Sequence, residues 1–232
     1  MSDSGVVLNP DRGANARRCF TQPTLQENLL EAVVAATNMH AAWARVKSNK
    51  GAPGIDGMTI EEFPAFAKVH WPAIRQALND GCYCPSPVRR VMIPKPDGGE
   101  RALGIPNVVD RVIQQAIAQV LTPIFDPEFS ESSFGFRPKR SAHGAVKQVQ
   151  AYIKAGYRVA VDLDLQKFFD NVSHDILMAR VARRVGDKRL LALIGRYLRA
   201  GVMIGECVQP SEIGTPQGGP LTPLTQKVTL TA

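Results

Sequence analysis

Four aspartates crowd one short stretch of this chain, VAVDLDLQKFFDNVSHD at residues 159–175: Asp162, Asp164, Asp170 and Asp175. Val159, Val161, Leu163 and Leu165 alternate there with Ala160, Asp162 and Asp164. A period of two rich in β-branched residues predicts a strand. One face of that strand is aliphatic, and the other presents Asp162 and Asp164 about 7 Å apart. Two carboxylates on one face repel each other and resist desolvation. Something positive should therefore lie over them: a metal ion, an arginine or lysine, or bulk water on an edge strand.

A second group of candidate residues is cationic. Lys95 and Arg101 flank Asp97-Gly98-Gly99, a turn signal between two short apolar runs, so VRRVMIPKPDGGERALGIP reads as a β-hairpin. Pro94, Pro96 and Pro106 keep its strands short or at an edge. Arg137, Lys139 and Arg140 fall together in FGFRPKR. Charge is uneven around them. Residues 137–199 carry 14 Lys/Arg against 5 Asp/Glu, a net of +9, whereas residues 1–136 carry 13 against 14. Clustered cations gain counterion-release energy on nucleic acid, and a solvated basic face is the alternative.

Helices and turns must position these groups. Thr24 with Glu27, and Thr59 with Glu62, form capping boxes ahead of apolar stretches. A short helix is predicted over MHAAWARVK and another over residues 72–79. Asn107 precedes a long apolar stripe through Val109, Val112, Ile113, Ala116, Ile117, Val120 and Leu121, and so caps a buried helix. Ser141, Ser173 and Asp187 are the next N-caps. A short hairpin over VMIGECV…SEI (202–213) then leads to GTPQGGPLTPL. Helices alternating with hairpins predict an α+β fold with a small sheet.

The bulk properties narrow the class. The 232 residues contain no run of 18 apolar residues, which predicts no membrane span. The polar N-terminus has no signal-peptide core and reads as a disordered tail over residues 1–20. Four scattered cysteines lack zinc spacing and read as reduced thiols of a cytoplasmic protein.

Five stretches in order, NKGAPGIDG (49–57), IPKPDGGERALGIPNVVDRVIQQAI (93–117), SSFGFRPKRSAHGAV (132–146), VDLDLQKFFDNVSHD (161–175) and GTPQGGPLTPL (214–224), resemble the reverse transcriptases encoded by group II introns. The resemblance covers about residues 24–224. It implies the fingers (21–157) and an incomplete palm (158–232) of a right-hand polymerase. It implies an RNA-directed DNA polymerase that uses Mg²⁺ for nucleotidyl transfer, with an RNA template, a DNA primer, deoxynucleoside triphosphates and the group II intron RNA as partners. By that resemblance Asp164 is the catalytic metal ligand, with the carbonyl of Leu165 beside it and Asp162 further out. Lys95, Arg101, Phe169, Gln217 and Gly218 would bind the incoming nucleotide, with Phe169 under its sugar and Phe168 in the core. Arg137, Lys139 and Arg140 would hold template backbone.

The sequence departs from the family pattern after residue 224. The aromatic-Ala-Asp-Asp stretch expected there is replaced by TQKVTLTA, and no Asp or Glu follows Glu212. The expectation is therefore a truncated copy, inactive alone. The alternative is a non-catalytic, maturase-like RNA-binding fragment. An unrelated D-x-D sugar-nucleotide transferase fits the ordered stretches poorly.

Overall fold

A computed structural model describes residues 25–95 and 98–230. The tail expected at 1–20, the Thr24 side of the first capping box, and Asp97 lie outside the described residues. The elements run α1 (Leu29–Val34), α2 (Ala36–Ser48), α3 (Phe63–Asn79), β1 (Val88–Pro94), β2 (Glu100–Ile105), α4 (Val108–Phe125), α5 (Ala142–Lys154), α6 (His174–Ala182), α7 (Lys188–Arg199), β3 (Val202–Ile204), β4 (Cys207–Gln209) and α8 (Thr222–Leu230). The fold is α+β, as the hairpins and helices predict.

The core is built around α4. Its stripe of Val108, Val112, Ile113, Ala116, Ile117 and Leu121 is almost solvent-free. It packs against α1, α2 and α8, while α6 packs on α7 and α8. N-terminal and C-terminal helices therefore share one hydrophobic cluster. The four strands form one sheet in the order β2-β1-β3-β4. β1 pairs antiparallel with β2 and parallel with β3, so the sheet also joins the 88–105 hairpin to residues 202–209.

Several local predictions are realised in atomic detail. Thr59 and Glu62 exchange capping-box hydrogen bonds, the Thr59 N–H to a Glu62 carboxylate oxygen at 2.8 Å and the Glu62 N–H to Thr59 Oγ1 at 3.3 Å. Ser141 and Ser173 cap α5 and α6, and Asp187 caps α7 while also accepting the Leu30 N–H at 2.9 Å. Asn107 stands at the start of α4, where its carbonyl accepts the Arg111 N–H at 2.9 Å but its side chain makes no cap bond. Its Oδ1 instead accepts the N–H of Ile55 at 2.9 Å and of Asp56 at 3.4 Å, tying down the 51–57 loop. Residues 63–79 form one helix with Pro72 inside it, where two were expected.

The strand predicted at 159–165 does not form. The segment is irregular and belongs to no β-ladder. Val159, Val161 and Leu163 are 86%, 78% and 88% exposed. Alternation records which face a neighbouring strand would bury; a ladder also needs that neighbour's N–H and C=O groups. None of the four strands supplies them. The apolar stripe of the adjacent α5, including Val146, Val149 and Ile153, is exposed as well. Among the described residues no helix is long and apolar enough to cross a membrane.

Candidate functional site

The 214–218 loop organises the site because it is anchored at both ends. On one side the Gly214 N–H bonds Val172 O and the Thr215 N–H bonds Phe169 O, each at 2.8 Å. His174, buried at the start of α6, places Nε2 2.6 Å from Gly214 O. On the other side the loop lies along the free edge of β2. The Gly104 N–H donates to Gln217 O, and Arg101 Nε donates to Gln217 Oε1, both at 2.7 Å. Gly218 permits this approach. Its φ is +123°, and a Cβ there would lie 2.6 Å from Gly104 O and 2.9 Å from a Leu103 methyl.

One loop thus draws a turn and a hairpin onto a common cavity of about 590 Å³. Arg101, Phe169, Gln217 and Gly218 all line it. The Phe169 ring stands edge-on to Phe168 at 5.9 Å, and Phe168 packs against the core. Lys95 does not line the cavity. It sits in the hairpin turn, where its N–H bonds Gly99 O at 3.1 Å and its carbonyl accepts the Gly98 N–H at 3.2 Å. Asp164 and Leu165 are exposed on the unpaired segment and are not among the cavity's lining residues.

The basic block looks different in three dimensions from its sequence. Arg137 is buried. Its guanidinium holds the Asp126 carboxylate at 2.8 Å and donates to the carbonyls of Asp126, Ser130 and Ser133 at 3.0, 2.6 and 3.2 Å. That hydrogen bonding, with the guanidinium's charge, holds the Asp126 carboxyl below its usual range. Arg140 pairs with Glu131, Arg184 with Glu128, and Arg189 with Glu31. Arg196 donates to Gly81 O at 2.6 Å. Lys139 is exposed and has φ +60°. Much of the +9 block therefore ties chain segments together.

This division gives a prediction. Arg137→Ala strands several carbonyls and the Asp126 carboxylate, each worth about 1–3 kcal/mol when left unsatisfied. It should lower the melting temperature by roughly 10 °C or more. Lys139→Ala should leave melting unchanged; if this exposed cation meets a nucleic-acid backbone, the change should also weaken RNA binding about threefold at low salt, the size of a single phosphate contact. Thermal melts and filter binding at two salt concentrations separate the two. A cool-melting Lys139→Ala, or an unaltered melt for Arg137→Ala, would reverse the assignment.

The apolar stripe of α4 does not single out two charged residues that the fold buries, Asp110 and Arg111, at 1% and 7% exposure. Asp110 accepts from Tyr83 Oη at 2.8 Å, Tyr197 Oη at 3.1 Å and the Ser86 N–H at 3.2 Å. Burial raises its pKa to about 6 against these bonds, which pull the other way. Arg111 donates to Ala52 O at 2.7 Å and lines the cavity with Arg45 and Arg101. Their signal in the sequence is that they are the two charged residues of α4, adjacent to each other within its apolar stripe.

Carboxylate oxygens are the right donors for a hard divalent ion, but their number and placement here do not make a site. Among the described residues no three His, Cys, Asp or Glu side chains come together in a way that could hold a metal ion. These residues by themselves do not fit a pair of bound ions.

Residues 93–231 match the reverse transcriptase (RNA-dependent DNA polymerase) family, and the chain belongs to that family. It is 36% identical over 217 residues to the protein YkfC of Escherichia coli (strain K12), covering 90% of this chain and 57% of that protein. It is 36% identical over 192 residues to the group II intron-encoded protein LtrA of Lactococcus lactis subsp. cremoris, covering 82% of this chain and 32% of LtrA. Among solved structures, a partial Cas6-RT-Cas1–Cas2 complex superposes with a TM-score of 0.59 at 24% identity, over 87% of this chain and 34% of that one. The fold is that of a reverse transcriptase, and the chain spans from a third to just over half the length of these curated relatives.

Proposed function

We propose that the chain is the fingers (21–157) and the first part of the palm (158–232) of a group II intron-encoded RNA-directed DNA polymerase. Its 590 Å³ cavity is the pocket for the incoming deoxynucleotide. The observation that carries this is the double anchoring of the 214–218 loop, which brings Arg101, Phe169, Gln217 and Gly218 into the lining of one cavity. Arg101 spends its Nε–H on Gln217 and keeps its terminal N–H groups for phosphate oxygens. Lys95, in the hairpin turn, adds a mobile cation. The Phe169 ring closes the floor against a 2′-hydroxyl. Lys139 and Arg140 face template backbone, with Arg137 fixing the loop that carries them. The RNA template, the DNA primer and the intron RNA are the macromolecular partners of this reading. By the family reading the divalent ion would be Mg²⁺, with Asp164 and the Leu165 carbonyl among its donors. The described residues by themselves do not complete such a site.

The test is sugar selectivity in binding. With a primer–template present, a deoxynucleoside triphosphate should displace a fluorescent deoxynucleotide about tenfold better than the matching ribonucleotide. Phe169→Ala should erase most of that preference, a loss of roughly 1.4 kcal/mol in discrimination. Equal preference in both proteins would remove Phe169 from the pocket and with it this reading of the cavity. A second reading, a non-catalytic RNA-binding fragment, is favoured by the exposed position of Asp164. It expects RNA binding with no nucleotide selectivity.

A further inference from the structure

The same cavity is lined by two cations that the nucleotide reading does not use, Arg45 and Arg111. Arg111 is buried, and its Nε has no hydrogen-bond partner. Its guanidinium reaches Ala52 O at 2.7 Å only because residue 51 is glycine; a Cβ at Gly51 would run into the Arg111 side chain. Burial presses the Arg111 pKa down, and the one acid whose field opposes this is the exposed Asp56. Arg45 and Arg101 line the same cavity, and none of its lining residues is acidic. A desolvated guanidinium with an unused donor is costly without an anion. Three guanidiniums converging on one space with no carboxylate suit phosphate oxygens, which accept from Arg in bidentate fashion.

We infer that Arg111 and Arg45 form a phosphate-binding wall of this cavity, with Arg111 at its buried end and the 49–52 loop fixed over it. The ligand chemistry is a chain of phosphate oxygens, from a polyphosphate or from a sugar-phosphate backbone. The inference rests on the nucleotide-pocket reading for the use of the site and not for anion binding itself, so the two can fail separately.

Calorimetric titration of the full chain with inorganic tripolyphosphate, in the absence of divalent ions, tests it. The unaltered protein should bind at one site. Arg45→Gln and Arg111→Gln should each weaken binding about tenfold or more, the size of one charge-assisted contact. Arg183→Gln, an exposed cation that does not line the cavity, should not. Thermal melts check that each variant folds. Should Arg111→Gln unfold through loss of the Ala52 tether, the exposed Arg45→Gln decides the matter. If Arg45→Gln binds like Arg183→Gln, or if all three weaken binding equally, the wall is ordinary surface charge and the inference fails. Competition by a thymidine hexanucleotide identifies the source: displacement points to a nucleic-acid backbone, and persistence of tripolyphosphate binding points to a free polyphosphate. Sugar selectivity lost in Phe169→Ala alongside unaltered tripolyphosphate binding in Arg45→Gln would leave the nucleotide pocket standing without this wall.

Discussion

Asp110→Ala is expected to cost the fold about 3 kcal/mol or more, enough to take a marginally stable chain close to unfolding at 37 °C. The carboxylate joins three segments: α4 itself, the 83–86 loop through Tyr83 and Ser86, and α7 through Tyr197. Removing it leaves the Ser86 N–H and one of the two tyrosine hydroxyls without an acceptor, since the hydroxyls can still bond each other. Asp110→Asn is gentler. Its Oδ1 can still accept both hydroxyls, but its amide nitrogen would meet the Ser86 N–H donor to donor. The same residue gives a pH signature. Folded Asp110 keeps its proton up to about pH 6, whereas an unfolded aspartate loses it near 3.8. Between those values the folded state binds more protons, so this residue's contribution is greatest below about pH 4 and is lost as pH rises through 6. The full difference is about 3 kcal/mol, from a shift of about two pH units. Urea melts at pH 5 and pH 7 should show the unaltered chain losing stability relative to Asp110→Asn as pH rises. Parallel pH profiles for the two proteins would mean that Asp110 is already ionised in the fold.

What could be read from the sequence followed the range of the interaction. Caps act over three residues, and Ser141, Ser173 and Asp187 cap helices where the sequence places them. The stripe on α4 and the 88–105 hairpin are also local patterns, and both stand. Elements whose state depends on a distant partner were misread. The 159–165 alternation is genuine, yet among the described residues no strand pairs with it, so it stays open. Asn107 has a capping residue's identity and position but gives its oxygen to Ile55 and Asp56, more than 50 residues away. Net charge likewise says nothing about pairing. Arg137, Arg184 and Arg196 count toward the basic block and spend their donors on Asp126, Glu128 and Gly81. The grouping of Arg101, Phe169 and Gln217 was expected from family resemblance. No local pattern contains the loop geometry that joins them, nor the buried Arg111 that lines the same cavity.

The largest effect expected is an absence of activity. The purified 232-residue chain, given a DNA primer on an RNA template with Mg²⁺ and deoxynucleotides, should give no extension above background. Two-ion chemistry requires both ions in fixed positions, held by ligands on a rigid element. Asp164 lies on a segment without a neighbouring strand, Leu165 beside it is 57% exposed, and among the described residues no three-donor group forms. An exposed carboxylate on an irregular segment lets Mg²⁺ keep most of its waters, and it fixes neither hydroxyl nor triphosphate. Misplacement by about 1 Å can cost 10²-fold in rate, and among the described residues the ligand set itself is incomplete. Asp164→Ala should therefore match the unaltered chain in this assay while binding RNA equally well, which shows that both proteins are folded and loaded. Extension that disappears in Asp164→Ala would overturn this. It would mean that the 158–165 segment becomes ordered on primer–template and that Asp164, with ligands drawn from substrate or from a second chain, is enough to hold the ion.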